Sequence, residues 1–221
     1  MKFLYFTFLL SLILISCNKD KIESVAFSET RYKITVTGKW SSPEFSVPAN
    51  AHYTVFAGMV HNKSAFLWRP GYLASPGTES VAETGNTISL LAEIDSIVAA
   101  KNAIGLIAFI PPTITGQNSV NIYCNSNYSY ISFLSMLGPT PDWFIGINSL
   151  NLYNNNKWIS DTSINLYAYD AGTEDGDVFG YNNSATIPQQ QVHLLEASQA
   201  TVLYKGNPTL LPIAIVQFTR N

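Results

Sequence analysis

Charged side chains are scarce in this chain of 221 residues. They make up 12% of the sequence, against about 25% in ordinary soluble domains. The 12 Lys and Arg residues are scattered along the chain and the formal net charge is -3. The sequence therefore lacks the basic stripe that a phosphate backbone requires, and we expect no nucleic-acid partner. The hydrophobic content of 47% is ample for a packed core.

Cysteine is equally scarce, with only Cys17 and Cys124 in the chain. Cys17 follows an apolar run, Phe3 to Ile15, that is too short for a permanent membrane span and typical of a signal peptide. The residues LISC that end at Cys17 resemble the lipobox of bacterial lipoproteins, in which this cysteine is lipidated and becomes the new N-terminus. The alternative is an ordinary signal peptide followed by a chance cysteine. Lipidation would leave Cys124 without a partner for a disulfide.

The chain shows no internal repeat, no linker rich in Pro, Gly or Ser, and no break in composition. We divide it into a lipoprotein signal peptide (1–16), a lipidated N-terminus with a polar tether (17–26) and one domain (27–221). This division predicts a protein of the bacterial cell envelope. Lipid on Cys17 would anchor it to a membrane, with the domain on the periplasmic or the surface face.

Short runs with strand character dominate the domain. Arg31 to Trp40 alternates apolar and polar residues, the pattern of a half-buried strand. Gly, Pro and Asn clusters separate such runs. By contrast, the apolar residues from Thr87 to Ala100 have helical spacing. Thr78 to Ala82 is predicted to form a helical turn that ends at Gly85. We predict a mainly β fold, a single antiparallel β-sandwich with one or two short helices in its N-terminal half. The other predicted strands are Tyr53–Val60, Val120–Cys124, Tyr128–Leu137, Trp143–Leu150, Ser163–Tyr169, Thr201–Tyr204 and Ile213–Thr219.

The stretch YDAGTEDGD, from Tyr169 to Asp177, places four carboxylates close together. Such a loop suits Ca²⁺, which prefers oxygen ligands. The loop is not an EF-hand, because counting from Asp170 the sixth position is Asp175 where glycine is required, and the twelfth is Tyr181 where glutamate is required. Spacing alone leaves both a metal site and a solvated turn open.

No pattern of catalytic residues stands out. The sequence has no Gly-x-Ser-x-Gly elbow, and Cys124 has no histidine near it in sequence. The three histidines (His52, His61 and His193) lack zincin spacing and suit loop or rim positions. Asp170 and Asp175 lie on one turn, so they cannot be shown to flank a glycosidic bond. The aromatic residues that suit a sugar platform suit core packing better; they are Trp68, Trp143, Tyr167 and Tyr169.

The segment Gly138 to Gly180 contains PDWFIG, Trp158 and LYAYDAGTEDG. Together these pieces resemble the spondin N-terminal domain, also called the F-spondin domain. The flanking pieces AHYTVFAGMVHN, ATIPQQQVHLL and PIAIVQF fit the same family in this order. The resemblance covers nearly all of the chain after Cys17.

The resemblance implies a β-sandwich with one Ca²⁺ ion at one end. It assigns the aspartates of the PDWF and DAGT motifs, here Asp142 and Asp170, as metal ligands. Animal members use a further acid on the preceding strand, but Asn118 to Asn127 contains none. We therefore keep Asp175 as a third candidate ligand, and fewer charges would predict a weaker site.

These expectations favour a non-enzymatic, calcium-stabilised binding or adhesion module in the cell envelope. Its partner would be a glycan, lipopolysaccharide or protein. Two alternatives stay open: a calcium-dependent carbohydrate-active enzyme and a purely structural envelope protein.

Overall fold

A computed structural model describes residues 27–196, 202–205 and 209–221. The predicted signal peptide, Cys17 and the tether lie outside these residues. The two helices are α1 (Pro76–Thr84) and α2 (Ile88–Ala99). The strands are β1 (Glu29–Gly38), β2 (His52–Tyr53), β3 (Phe56–His61), β4 (Ala103–Phe109), β5 (Gln117–Asn125), β6 (Tyr130–Gly138), β7 (Trp143–Asn151), β8 (Tyr153–Asn154), β9 (Lys157–Trp158), β10 (Asp161–Leu166), β11 (Tyr169–Asp170), β12 (Glu174–Asp175), β13 (Ser184–Ala185), β14 (His193–Leu194) and β15 (Ala214–Arg220).

A four-stranded antiparallel sheet, in the order β10-β15-β1-β5, forms one layer of the sandwich. Its central strand β1 buries Tyr32, Ile34 and Val36 completely, as the alternation of apolar and polar residues predicts. Ile34 lies opposite Phe218 of β15 and Val120 of β5. The inward side chains of this sheet therefore form one wall of the main hydrophobic core.

A larger antiparallel sheet forms the second layer, in the order β14-β11-β7-β6-β3-β4, with β2 paired to β6. One face packs on the main core, and the two helices cover the other, where a second apolar cluster includes Leu90 and Phe144. Helix α1 begins at the N-cap Ser75 and ends at Gly85, whose φ of 69° suits a residue without a Cβ. The predicted β-sandwich with two helices is confirmed.

Four local features differ from the sequence prediction. The predicted strand Ser163–Tyr169 is divided between β10 and β11, which lie in different sheets. Strand β4 was not predicted, because AIGLIAF has no clean alternation. The predicted strand Thr201–Tyr204 is wrong where it is described, since 202–205 form turns and Lys205 has a φ of 51°. His61, expected on a loop or rim, is fully buried in β3. The imidazole ring can be buried there because both of its nitrogens are hydrogen-bonded. Nδ1 pairs with the Asn62 carbonyl at 2.7 Å and Nε2 with the Ser132 hydroxyl at 2.8 Å.

Two further findings concern the membrane and the thiol. No helix in the described ranges is long and apolar enough to cross a membrane. Cys124 is a free and fully buried thiol in β5, and burial raises its pKa to about 12. Such a thiol is inert toward ordinary thiolate chemistry.

Candidate functional site

Asp142 is a fully buried carboxylate at the rim of the larger sheet, just before β7. Its Oδ2 accepts hydrogen bonds from the backbone N–H groups of Thr173, at 2.7 Å, and Glu174, at 3.1 Å. The Thr173 hydroxyl adds a third, at 3.2 Å. Its Oδ1 is also buried but has no hydrogen-bond partner within the described residues. One oxygen of the carboxylate is thus saturated and the other is unpaired.

Asp170 lies beside Asp142 on the neighbouring strand β11. Strand β11 pairs Asp170 with Trp143 of β7, and the N–H of Ala171 donates to the Asp142 carbonyl at 3.2 Å. The Oδ1 of Asp170 accepts from the Gly172 N–H at 2.8 Å and lies 3.9 Å from Nδ1 of His193. The structure therefore brings together the two acids that the resemblance singled out.

The surroundings of Asp142 and Asp170 disfavour the ionised form of both carboxyl groups. Burial, and next the charge of Asp142, raise the pKa of Asp170 from an ordinary 3.8 to about 6. The Gly172 N–H and His193 act in the opposite direction. Burial also raises the pKa of Asp142, against the hydrogen bonds from Thr173 and Glu174. A cation would relieve this strain, because an opposite charge favours the ionised form of both groups.

The segment after β11 is shaped to cradle Asp142. Gly172 has a φ of 73°, and a Cβ there would lie 2.4 Å from the Gln190 carbonyl oxygen. Only glycine fits this turn, which then directs the N–H groups of Thr173 and Glu174 at the Asp142 carboxylate. The DAGTE sequence is thus a structural requirement of the Asp142 site as well as the source of Asp170.

Asp175, the third predicted ligand, lies apart on an exposed hairpin. It is exposed in β12, which pairs with β13, and its Oδ1 accepts from the Thr186 hydroxyl at 2.6 Å. No contact joins it to Asp142 in the described part of the chain. Its role as a ligand stays a prediction.

Two glutamates belong to the same electrostatic group. Burial raises the pKa values of Glu83 and Glu174, and the Asp142 charge contributes to both. Glu83 comes from the last turn of α1, so no sequence spacing links it to the PDWF and DAGT motifs. The amphipathic pattern of α1 identifies a helix there but not the edge of the sheet on which it rests.

The residues present suit a hard cation in charge and donor type. The unpaired Asp142 oxygen and the Asp170 carboxylate supply two anionic oxygens, and Ca²⁺ accepts backbone carbonyl and water oxygens in its remaining positions. Within the described ranges, no group of three or more His, Cys, Asp or Glu side chains is placed to hold a metal ion. A metal here would therefore depend on neutral oxygens for most of its shell.

Of the four aromatic residues considered for a sugar platform, two lie in the core and two are partly exposed. Trp143 is fully buried and Trp68 is 3% exposed, so core packing accounts for both. Tyr167 and Tyr169 are only half-buried, and Tyr169 packs against Trp68 with ring centroids 4.9 Å apart.

Comparison with known proteins identifies the family of this chain. The family model Spondin_N matches residues 30–209. The chain belongs to the Spondin_N family. Spondin-2 of Homo sapiens is 33% identical over 204 residues, which cover 86% of this chain and 61% of the relative. Spondin-2 of Rattus norvegicus is 34% identical with the same coverage.

Spondin-1 of Gallus gallus is 28% identical over 187 residues, 80% of this chain and 23% of that protein. The chain thus spans about three fifths of the length of the Spondin-2 relatives and under a quarter of Spondin-1. The predicted membership of the spondin N-terminal family is confirmed.

Proposed function

We propose that this chain is a cell-envelope lipoprotein whose Spondin_N domain is a binding and adhesion module stabilised by one Ca²⁺ ion. The observation that carries the metal site is the buried Asp142 carboxylate, with one oxygen unpaired, beside Asp170. Asp142 and Asp170 would hold the ion, and Asp175 is the candidate for a third carboxylate. The ion would supply charge neutralisation at the rim and no chemical step.

A cation at this position would join three segments of the rim. Asp142 precedes β7 and Asp170 lies in β11. In the turn at Gly172, the Gly172 N–H donates to Asp170 and the Thr173 N–H donates to Asp142. Neutralising the two carboxylates would therefore favour the folded arrangement of this whole edge of the sheet. A rigid edge suits a binding module, because loops ordered before binding cost less free energy to immobilise.

The metal assignment is tested by calorimetric titration of the purified chain with CaCl₂. We expect one site per chain, strongly weakened in Asp142→Asn and in Asp170→Asn. Asp175→Asn reports whether the hairpin acid contributes. Asp95→Asn, an exposed change on α2, is the matched control and should bind as the parent does. Equal binding by the parent and by both rim variants would contradict the assignment.

The lipid anchor rests on the apolar run and on the residues LISC that end at Cys17. Two lipid chains are needed for stable anchoring, and the diacylated cysteine of lipoproteins provides them. Growth with a labelled fatty acid should label the chain, and Cys17→Ala should abolish the label while Cys124→Ala retains it. Label that survives Cys17→Ala would exclude the anchor.

The binding role is tested by capture from the cell envelope with and without a calcium chelator. A glycan, lipopolysaccharide or protein retained by the parent chain and lost from Asp170→Asn would support a calcium-stabilised module. A purely structural protein would instead retain nothing in either condition, although calcium would still raise its stability.

A further inference from the structure

A cleft of about 430 Å³ opens at the free edge of β7, on the side away from β6. Strand β11 pairs with β7 only at Trp143 and Phe144. Beyond these two residues the chain crosses from β10 in one sheet to β11 in the other, which leaves a gap between the sheets. The cleft volume falls within the roughly 300–1,000 Å³ of ordinary ligand pockets.

The cleft lining combines polar, aromatic and aliphatic side chains, and none of the residues that form it carries a charge. Tyr167 and Tyr169 are half-buried in this lining, and Trp68 packs on Tyr169 with ring centroids 4.9 Å apart. Asn148, Asn151 and the exposed Asn165 add amide groups. Uncharged amide groups next to the rings of Tyr167 and Tyr169 favour a neutral ligand that has both hydroxyl groups and an apolar face.

The hydrogen-bond state of the asparagines leaves donors available. The Oδ1 of Asn148 accepts from the Ser149 hydroxyl at 3.0 Å. The Oδ1 of Asn151 accepts from the Ser129 hydroxyl at 2.7 Å and from the Tyr153 N–H at 3.1 Å. Both acceptors are used, whereas the amide NH₂ groups of Asn148 and Asn151 have no partner among the described residues. The NH₂ group of Asn165 makes only a long hydrogen bond, donating to the Tyr167 hydroxyl at 3.5 Å. Half-buried donors of this kind gain from a hydroxyl-rich ligand.

The irregularity of β7 argues against an extended peptide as the occupant. Asn148 and Ser149 together lie opposite Ser132 of β6, a bulge that breaks the ladder. Ser149 has a φ of 51°, and its N–H already donates to the Ser132 hydroxyl at 2.9 Å. Only Ile145 to Ile147 remains as a regular free edge, which is too short for strand addition.

We propose that this cleft binds a neutral saccharide, with a pyranose ring against Tyr167 and Tyr169 and its hydroxyl groups on the amides of Asn148, Asn151 and Asn165. This assignment names a ligand class for the proposed binding module and in that respect depends on it. The cleft itself contains none of the proposed calcium ligands, so the two ideas can fail separately.

The test is saturation-transfer NMR on the full chain in a detergent without sugar groups. The probes are the methyl glycosides of glucose, mannose, galactose and N-acetylglucosamine, with methyl glucuronide as the charged analogue. We expect at least one neutral probe to bind and to bind better than the glucuronide. No binding by any neutral probe, or equal binding of the glucuronide, would overturn the proposal.

Variants locate the site. Asn165→Ala and Tyr167→Ala should each weaken the neutral probe by about fivefold or more, the loss of roughly one hydrogen bond or ring contact. Asn121→Ala, a matched exposed asparagine on β5, should leave binding unchanged. Because Asn165 is exposed, its variant removes no core contact, and thermal unfolding confirms that each variant is folded. Unchanged binding in folded Asn165→Ala and Tyr167→Ala, or displacement of the probe by an uncharged extended hexapeptide, would refute the site.

Calcium titration of the same samples separates this inference from the proposed function. Loss of the saccharide with calcium binding intact counts against the cleft alone. Loss of calcium binding with saccharide binding intact counts against the rim site alone.

Discussion

Replacing Asp170 with asparagine should stabilise the chain in the absence of calcium, and calcium should reduce or reverse that advantage. The pKa of Asp170 rises from 3.8 to about 6 on folding, so the native chain binds more protons than the unfolded chain between these values. The associated stability is complete below pH 3.8 and is lost as the pH rises through 6. At pH 7 the ionised carboxylate therefore costs about 3 kcal/mol.

Asparagine removes that charge and keeps an acceptor for the Gly172 N–H. With a chelator at pH 7 we expect Asp170→Asn to be more stable than the parent chain by about 1–3 kcal/mol, or about 2–4 °C in Tm for each kcal/mol. With calcium at about 100 times its Kd, the parent should gain about 2.7 kcal/mol. The variant should gain no stability from calcium, so its advantage over the parent chain should become smaller or be reversed.

Urea unfolding, followed by the fluorescence of the 4 Trp residues, measures both conditions. Asp95→Asn is the control and should change stability by less than about 0.5 kcal/mol in either. A destabilised Asp170→Asn in chelator would refute the electrostatic reasoning. A parent chain that calcium does not stabilise would refute the metal site.

Three further predictions concern the fold around the site. Burial lowers the pKa of His61 below its usual 6.5, so the native chain binds fewer protons and loses stability as the pH falls below 6.5, by at most about 1.4 kcal/mol per pH unit; His61→Gln should flatten that slope in urea unfolding. Gly172→Ala should destabilise by about 2 kcal/mol or more, because a Cβ meets the Gln190 carbonyl. Gly71→Ala is the control, with a φ of 82° and open space around the added Cβ. It should cost only about 1 kcal/mol when both variants are compared with the parent chain by thermal unfolding. Glu93→Ala should cost about 1–3 kcal/mol by calorimetric unfolding, because its carboxylate accepts hydrogen bonds from Ser75 Oγ and the Gly77 N–H at the start of α1.

Strand positions with a clean alternation could be predicted from the sequence, and those set by distant packing could not. Strand β1 follows its pattern because one face meets the core and the other meets water. Residues 202–205, VLYK, are apolar enough to suggest a strand but turn instead, with Leu203 and Tyr204 buried in the main core. The apolar residues of this segment are therefore explained by burial in the core and not by pairing in a strand.

The candidate site could be predicted only in part for a related reason. The resemblance identified Asp142 and Asp170, but their closeness depends on the pairing of β7 with β11, which no local pattern specifies. Glu83 joins the acidic group through the packing of α1 on the sheet. The bulge at Ser149, which shapes the cleft, likewise depends on the opposite hydroxyl of Ser132.

The rim carboxylates and the cleft are positioned by one crossover of the chain. Leu166 still pairs with Ala214 in the smaller sheet, whereas Tyr169 pairs with Phe144 and Leu194 in the larger one. Successive side chains of a strand point to opposite faces, so the two residues of β11 serve different surfaces. Tyr169 faces the cleft and packs on Trp68, while Asp170 faces Asp142. A two-residue strand has little stability of its own, and an ion held by Asp170 would therefore also fix the aromatic wall of the cleft.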